Sequence, residues 1–180
     1  MMLIPLTYTY CQTLDYADIK NLSPTDTLFR IPDNEHYEMG DSCGYVNQKG
    51  DTIHALGKYN MCFTEVITTY GIVVDASKPS WGLIGIDQQG NRLFDVYVFD
   101  NGPDWLSDGL FRIKRNGKIG YANSKGQIII DPQFECASQF SNGKAKVAYT
   151  CTLINGPNDE HHSMESDSWF YIDKKGKRIE

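Results

Sequence analysis

No stretch of this 180-residue chain approaches the roughly 18 consecutive apolar residues that a membrane-spanning helix needs. The opening MMLIPL is too short for the apolar core of a signal peptide, and no Lys or Arg precedes it. A cytoplasmic location without membrane contact is the expectation. Cysteine is sparse and oddly numbered: Cys11, Cys43, Cys62, Cys136 and Cys151, with no two in a CxxC arrangement. That predicts neither a disulfide framework nor a zinc or redox pair, but reduced, mostly buried thiols. No thiol stands beside a histidine, and there is no GxSxG, no GxxxxGK[ST] and no GxGxxG after a predicted strand. The sequence therefore predicts no enzyme, no catalytic residue and no cofactor.

Basic residues are also in deficit. Lys and Arg number 17 against 23 Asp and Glu, a net charge of -6, so backbone phosphates would be repelled and no nucleic-acid partner is expected. The imbalance is uneven. Residues 1–108 hold 15 acids against 6 bases, net -9, whereas 109–180 hold 8 against 11, net +3. What the chain does have is apolar and aromatic content: 41% hydrophobic and 12% aromatic at a mean hydropathy of -0.42. Disorder is thereby excluded, and one domain over 1–180 is predicted, since no Pro/Ser-rich linker divides the chain.

Its organising feature is repetition. CGYVNQKGDTI, LIGIDQQGNRL, IGYANSKGQII and WFYIDKKGKRI align on Asn47, Asp87, Asn123 and Asp173, each three residues before Gly50, Gly90, Gly126 and Gly176. A short carboxylate or amide that bonds its own backbone, followed by a glycine free to take positive φ, is a hairpin turn between two strands. A second landmark recurs in LSDGLFRIK (Leu106 to Lys114) and FSNGKAKVA (Phe140 to Ala148). TDTLFRI (Thr25 to Ile31) and YGIVVD (Tyr70 to Asp75) are weaker copies. Aromatic connectors at Tyr59, Tyr97 and Phe134 join the pieces. Alternation in Leu110, Phe111, Ile113, Ile119, Tyr121, Ile128 and Ile130 indicates antiparallel strands. Only Thr13 to Leu22 could form a helical turn or two. CTLINGPNDEHHSMESDS reads as a polar loop inserted in the last unit. The predicted fold is all-β: about four degenerate β-repeat units of antiparallel strands stacked into a short curved array, with propeller-like closure as the alternative.

The segment GKIGYANSKGQIIIDPQFECASQFSNGKAKV, from Gly117 to Val147, and YIDKKGK, from Tyr171 to Lys177, resemble the WG-repeat family. Its pattern is Trp-Gly-Tyr-Ile-Asp, a turn Gly, an apolar strand, an aromatic connector and Phe-Ser-x-Gly-x-Ala-x-Val. Cys43 and Ile119 stand where the family has Trp, Trp169 is followed by Phe170, and Trp81-Gly82 is displaced by two residues. The resemblance implies an all-β repeat array acting as an interaction module, with no catalytic site.

Two longer loops remain as candidate partner-binding segments. One carries Asp33, Glu35, His36, Glu38 and Asp41; the other carries Asp159, Glu160, His161, His162 and Glu165. The latter has ligand-type residues but neither an i,i+4 helical pair nor a fixed strand spacing, so no metal ion is expected. Trp81, Trp105 and Trp169 are expected in the core or in strand pairs. The functional expectation is a non-catalytic protein-binding module, most narrowly a bacterial immunity-type inhibitor neutralising a basic toxin domain, as a monomer or weak dimer. The alternative is a glycan- or peptide-binding accessory domain of a surface or secretion system.

Overall fold

The computed structural model describes residues 27–77, 82–155 and 162–179. These residues contain strands and turns and no helix. The first unit is β1 (Leu28–Ile31), β2 (Cys43–Asn47), β3 (Thr52–Cys62) and the short β4 (Val66–Ile67). The second is β5 (Gly71–Asp75), β6 (Leu83–Ile86) and β7 (Arg92–Val96), followed by a small ribbon of β8 (Val98–Phe99) and β9 (Gly102–Pro103). The third is β10 (Leu110–Arg115), β11 (Lys118–Asn123), β12 (Ile128–Phe134) and β13 (Cys136–Ala137). The fourth has β14 (Lys144–Ala148) and β17 (Phe170–Asp173), with β15 (Thr152–Asn155) and β16 (His162–Glu165) between them. The segment Thr13 to Leu22, Cys11 and Trp81 lie outside the described residues.

Every pairing is antiparallel, and ten strands run as one open sheet in the order β12-β11-β10-β7-β6-β5-β3-β2-β1-β4. Its end strands do not pair with each other, so the architecture is the stacked array rather than a closed ring. Each unit's last long strand, or the short β13 that continues β12 in the third unit, passes on to the next: Tyr59 faces Asp75, Val96 faces Ile113, and Cys136 faces Ala148.

The four hairpin turns are built alike. Asn47, Asp87, Asn123 and Asp173 each accept backbone N–H bonds on the side-chain oxygen, as in Lys125 N–H and Gln127 N–H to Asn123 Oδ1 at 2.9 and 3.0 Å. Gly50, Gly90, Gly126 and Gly176 close them at φ between 74° and 86°, where an L side chain is strained. A different need fixes Gly44 and Gly120. Bulges bend the third strand over them, and a Cβ would stand 2.3 Å from the His54 carbonyl oxygen or 2.4 Å from that of Ile130.

Side-chain alternation then gives each unit a forward and a backward face, and three cores form between successive units. Leu28, Tyr45, Ile84 and Ile86 join units one and two. Ile72, Val74, Phe94, Phe111 and Ile113 join two and three, and Tyr121, Phe134, Phe140, Val147 and Ile172 join three and four. The Tyr position of the second unit is Gly85, and the Phe94 ring fills the space, its Cε2 lying 2.3 Å from where a Cβ would be. Buried Tyr45 and Tyr121 keep their hydroxyls satisfied by donating to the carbonyls of Thr64 (2.6 Å) and Ser138 (2.7 Å).

His54 ties the first unit to the turn of the second. It sits edge-on to Tyr45 and Tyr59, its Nε2–H donates to the Gln88 carbonyl at 3.1 Å, and its Nδ1 accepts from the Lys58 ammonium at 3.0 Å. That donor–acceptor set requires the neutral ring. Burial, and then the Lys58 charge, hold its pKa below the ordinary imidazole value of about 6.5. On acidification from about pH 6.5 the unfolded chain binds a proton that the folded chain refuses, so stability falls until the lowered pKa is passed. We expect an NMR titration of His54 with a midpoint below about 6.5, and His54→Phe to flatten this part of the pH–stability curve. A midpoint at or above the ordinary value contradicts the assignment.

The cysteine expectation is corrected. Cys43 bonds Cys62 and Cys136 bonds Cys151, with Cα–Cα distances of 6.1 and 5.2 Å. Sequence separations of 19 and 15 match no local signature, because the pairing is set by strand register: Cys43 on β2 lies three residues off Cys62 across the bulged β2–β3 pair. Cys62 and Cys136 occupy the same place in their units. Two residues on, Thr64 Oγ1 and Ser138 Oγ each accept a backbone N–H, from Ile72 at 2.8 Å and Lys146 at 2.9 Å. One repeat position thus serves two different staples.

Candidate functional site

The acidic segment links β1 to β2 as an exposed loop with a fixed base. Arg30 leaves β1 with its guanidinium 3.8 Å over the Tyr37 ring, donates to the Cys62 carbonyl at 3.3 Å and bonds Asn34 Oδ1. The Tyr37 hydroxyl accepts from Cys62 N–H at 3.0 Å. Beyond this anchor Asp33, Glu35, His36, Glu38 and Asp41 are all exposed. Asp33 Oδ1 lies 2.6 Å from His36 Nδ1; that hydrogen bond lowers the carboxyl pKa and raises the imidazole pKa. Asp41 Oδ2 accepts Glu38 N–H at 2.9 Å and closes the loop's second turn.

The second candidate segment is more ordered than a polar loop. β15 and β16 form an antiparallel hairpin, with Thr152 opposite Glu165 and Leu153 opposite Met164. Gly156-Pro157 and the surrounding polar residues mask this alternation in the sequence. The Cys136–Cys151 bond holds the base of the hairpin, and Ala137 N–H meets Met164 Sδ at 3.5 Å. Asp159, Glu160 and His161 lie outside the described residues; His162 opens β16, and Glu165 ends it, exposed. Among the described residues the two candidate segments do not meet: they belong to the first and fourth units. Beneath the hairpin runs a groove of about 380 Å³ lined by Tyr97, Lys114, Lys118, Glu135, Leu153 and Met164. Lys118 Nζ bonds Glu135 Oε1 at 2.7 Å and Cys151 N–H bonds its other oxygen at 3.1 Å, and these bonds hold the Glu135 carboxyl below its usual pKa.

Residue-pattern reasoning missed the most buried charge in the described residues. Arg112 projects from the forward face of β10 opposite Tyr121, and the β8–β9 ribbon folds over it. Asp104, 0% exposed, grips it twice: Nη2 to Oδ1 at 2.7 Å and Nε to Oδ2 at 3.0 Å. Arg112 N–H and Gln139 Nε2 also reach this carboxylate, each at 2.9 Å, while Nη1 donates to the Ala137 carbonyl at 3.1 Å. The Tyr97 ring stacks 4.1 Å from the guanidinium carbon, and burial raises the Tyr97 pKa. The signal available was the identical LFRI in Leu28 to Ile31 and Leu110 to Ile113: an arginine recurring at one alternating strand position. Trp105, expected inside, is 40% exposed and packs edge-on to Phe99 at 4.7 Å.

Turn chemistry, unit-to-unit cores and open sheet order together define a stacked all-β repeat protein. A sequence model of the WG containing repeat matches residues 119–148, the heart of the third unit. That segment is similar to the WG repeat, and no curated protein and no solved structure matches the chain. No helix among the described residues is long and apolar enough to cross a membrane.

Proposed function

We propose that the chain is a non-catalytic protein-binding module, and more narrowly an immunity-type inhibitor that occludes a basic toxin domain. The observation that carries this reading is the β1–β2 loop, where Asp33, Glu35, Glu38 and Asp41 are displayed to solvent on a base fixed by Arg30 and Tyr37. A preformed acidic loop accelerates encounter with a cationic surface and costs little ordering on binding. Thiol chemistry bears on the compartment. Two disulfides persist where the surroundings are oxidising, so we place the protein in a periplasm or outside the cell rather than in the cytoplasm. A second reading, an accessory domain gripping a glycan or peptide, is favoured by the groove under β15–β16, which offers a ring, an ion pair and apolar walls together.

The experiment is stopped-flow association with the toxin domain encoded beside the gene, after its neutralisation is established by rescue of growth on co-expression. Reversing charge at Asp33, Glu35, Glu38 and Asp41 should slow association about tenfold or more and flatten its salt dependence. An unchanged rate removes this loop as the steering surface. Titration with cell-wall fragments tests the second reading, through quenching of the aromatic fluorescence.

A further inference from the structure

Three of the four units place a cation at one recurring register position, and the second has Ile72 there, opposite Gly85. Arg30 stands opposite Tyr45, Arg112 opposite Tyr121, and Lys146 opposite Tyr171. In the first and third units a loop of the chain covers that cation, with an aromatic ring stacked on it and a side-chain oxygen bonded to it. Tyr37 and Asn34 do this for Arg30; Tyr97 and Asp104 do it for Arg112.

The fourth unit repeats the position with no loop of the described residues over it. Ala145, Val147, Phe170 and Ile172 point back into the core shared with the third unit. By strand alternation Lys144, Lys146, Trp169 and Tyr171 therefore point forward, away from the array. Lys146 is exposed, Trp169 and Tyr171 are half-buried, and the Lys146 and Lys144 ammonium groups stand 4.7 and 4.5 Å from the Trp169 and Tyr171 ring centres. No described residue lies over Lys146 as Tyr97 lies over Arg112. A solvent-facing sheet face needs polar groups, and lysines alone would supply them. Two large rings beside them make this a recognition face, since aromatics interleaved with cations bury apolar area while holding a carboxylate.

We infer that the forward face of the fourth unit, centred on Lys146, Trp169 and Tyr171, docks an acidic loop of a partner protein, one carrying an aromatic ring and a carboxylate as Tyr97 to Asp104 does for the third unit. Local charge agrees, because the Lys146 ammonium is exposed at the centre of the face beside the Trp169 ring. The face lies at the opposite end of the array from the acidic β1–β2 loop, so it does not rest on the inhibitor reading.

The probe is the octapeptide Tyr-Val-Phe-Asp-Asn-Gly-Pro-Asp, the sequence of residues 97–104, acetylated, fluorescently labelled and titrated by anisotropy into the full chain. Saturable binding is expected. It should weaken about tenfold or more with K146E, and with Asn in place of the peptide's final Asp, the loss of one charge-assisted hydrogen bond. W169A should weaken it too, and an unchanged melting curve for K146E certifies the fold. Absence of saturable binding to the wild type, or equal binding to K146E, overturns the inference. Concentration-dependent self-association abolished by K146E overturns the choice of occupant, making it a second copy of this chain.

Discussion

Replacing Asp104 by Ala is expected to cost about 3–5 kcal/mol of unfolding free energy, more than any surface substitution in the molecule. The reason is the orphaned partner. Arg112 is 5% exposed and has its guanidinium committed to Asp104 and the Ala137 carbonyl. Without the carboxylate a cation remains buried among Tyr97, Phe99 and the β10–β11 sheet, a site that cannot hydrate it. Replacing both residues by apolar ones of similar reach, Asp104→Leu with Arg112→Met, removes the charge along with its partner. The double variant should recover most of the loss, because the buried pair offsets much of its own desolvation. Guanidinium denaturation of the wild type, both single variants and the double variant completes the cycle. If Asp104→Ala costs under about 1 kcal/mol, the pair is hydrated and the packing described for the β8–β9 ribbon is wrong.

The second large effect comes from the disulfides. Loops of 19 and 15 residues imply about 3 kcal/mol of stabilisation each on the chain-entropy account. The two should nevertheless fail differently. Cys43 and Cys62 are buried, 0% and 1% exposed, within the core joining the first two units, so replacing both by Ala should lower global stability by the full amount. Cys151 instead tethers the β15–β16 hairpin to Cys136. Its removal should mainly release that hairpin, read as faster amide exchange over Thr152–Asn155 and His162–Glu165 with a smaller shift of the global midpoint. Equal exchange rates with and without the bond would show that the Met164 packing and the hydrogen bonds at its base hold the hairpin without it.

The repeat and its turns were legible because they are local. Asn123 bonds Lys125 and Gln127, and Gly126 completes the turn, all within five residues that recur four times. The disulfides were hidden for the opposite reason. Cys43 reaches Cys62 only through the register of a bulged strand pair, and an odd cysteine total pointed away from pairing. The inserted hairpin was obscured by its polar tip, although Thr152-Leu153-Ile154 carried strand propensity. The acidic segment Asp33 to Asp41 was readable as a loop between two strands. Its anchorage was not, since the Arg30–Tyr37 stack joins residues on either side of a chain reversal. Asp104 was the costliest omission: an acid in a Gly-Pro turn looks solvent-bound until the ribbon folds it inward.

Each hydrophobic core is drawn mainly from two consecutive units, and the turns that define a unit are closed by its own residues. Duplication or deletion of one such module in the gene would leave every other interface intact, provided the new neighbours present matching faces. The architecture therefore makes the number of units a variable that can change without rebuilding the rest of the array.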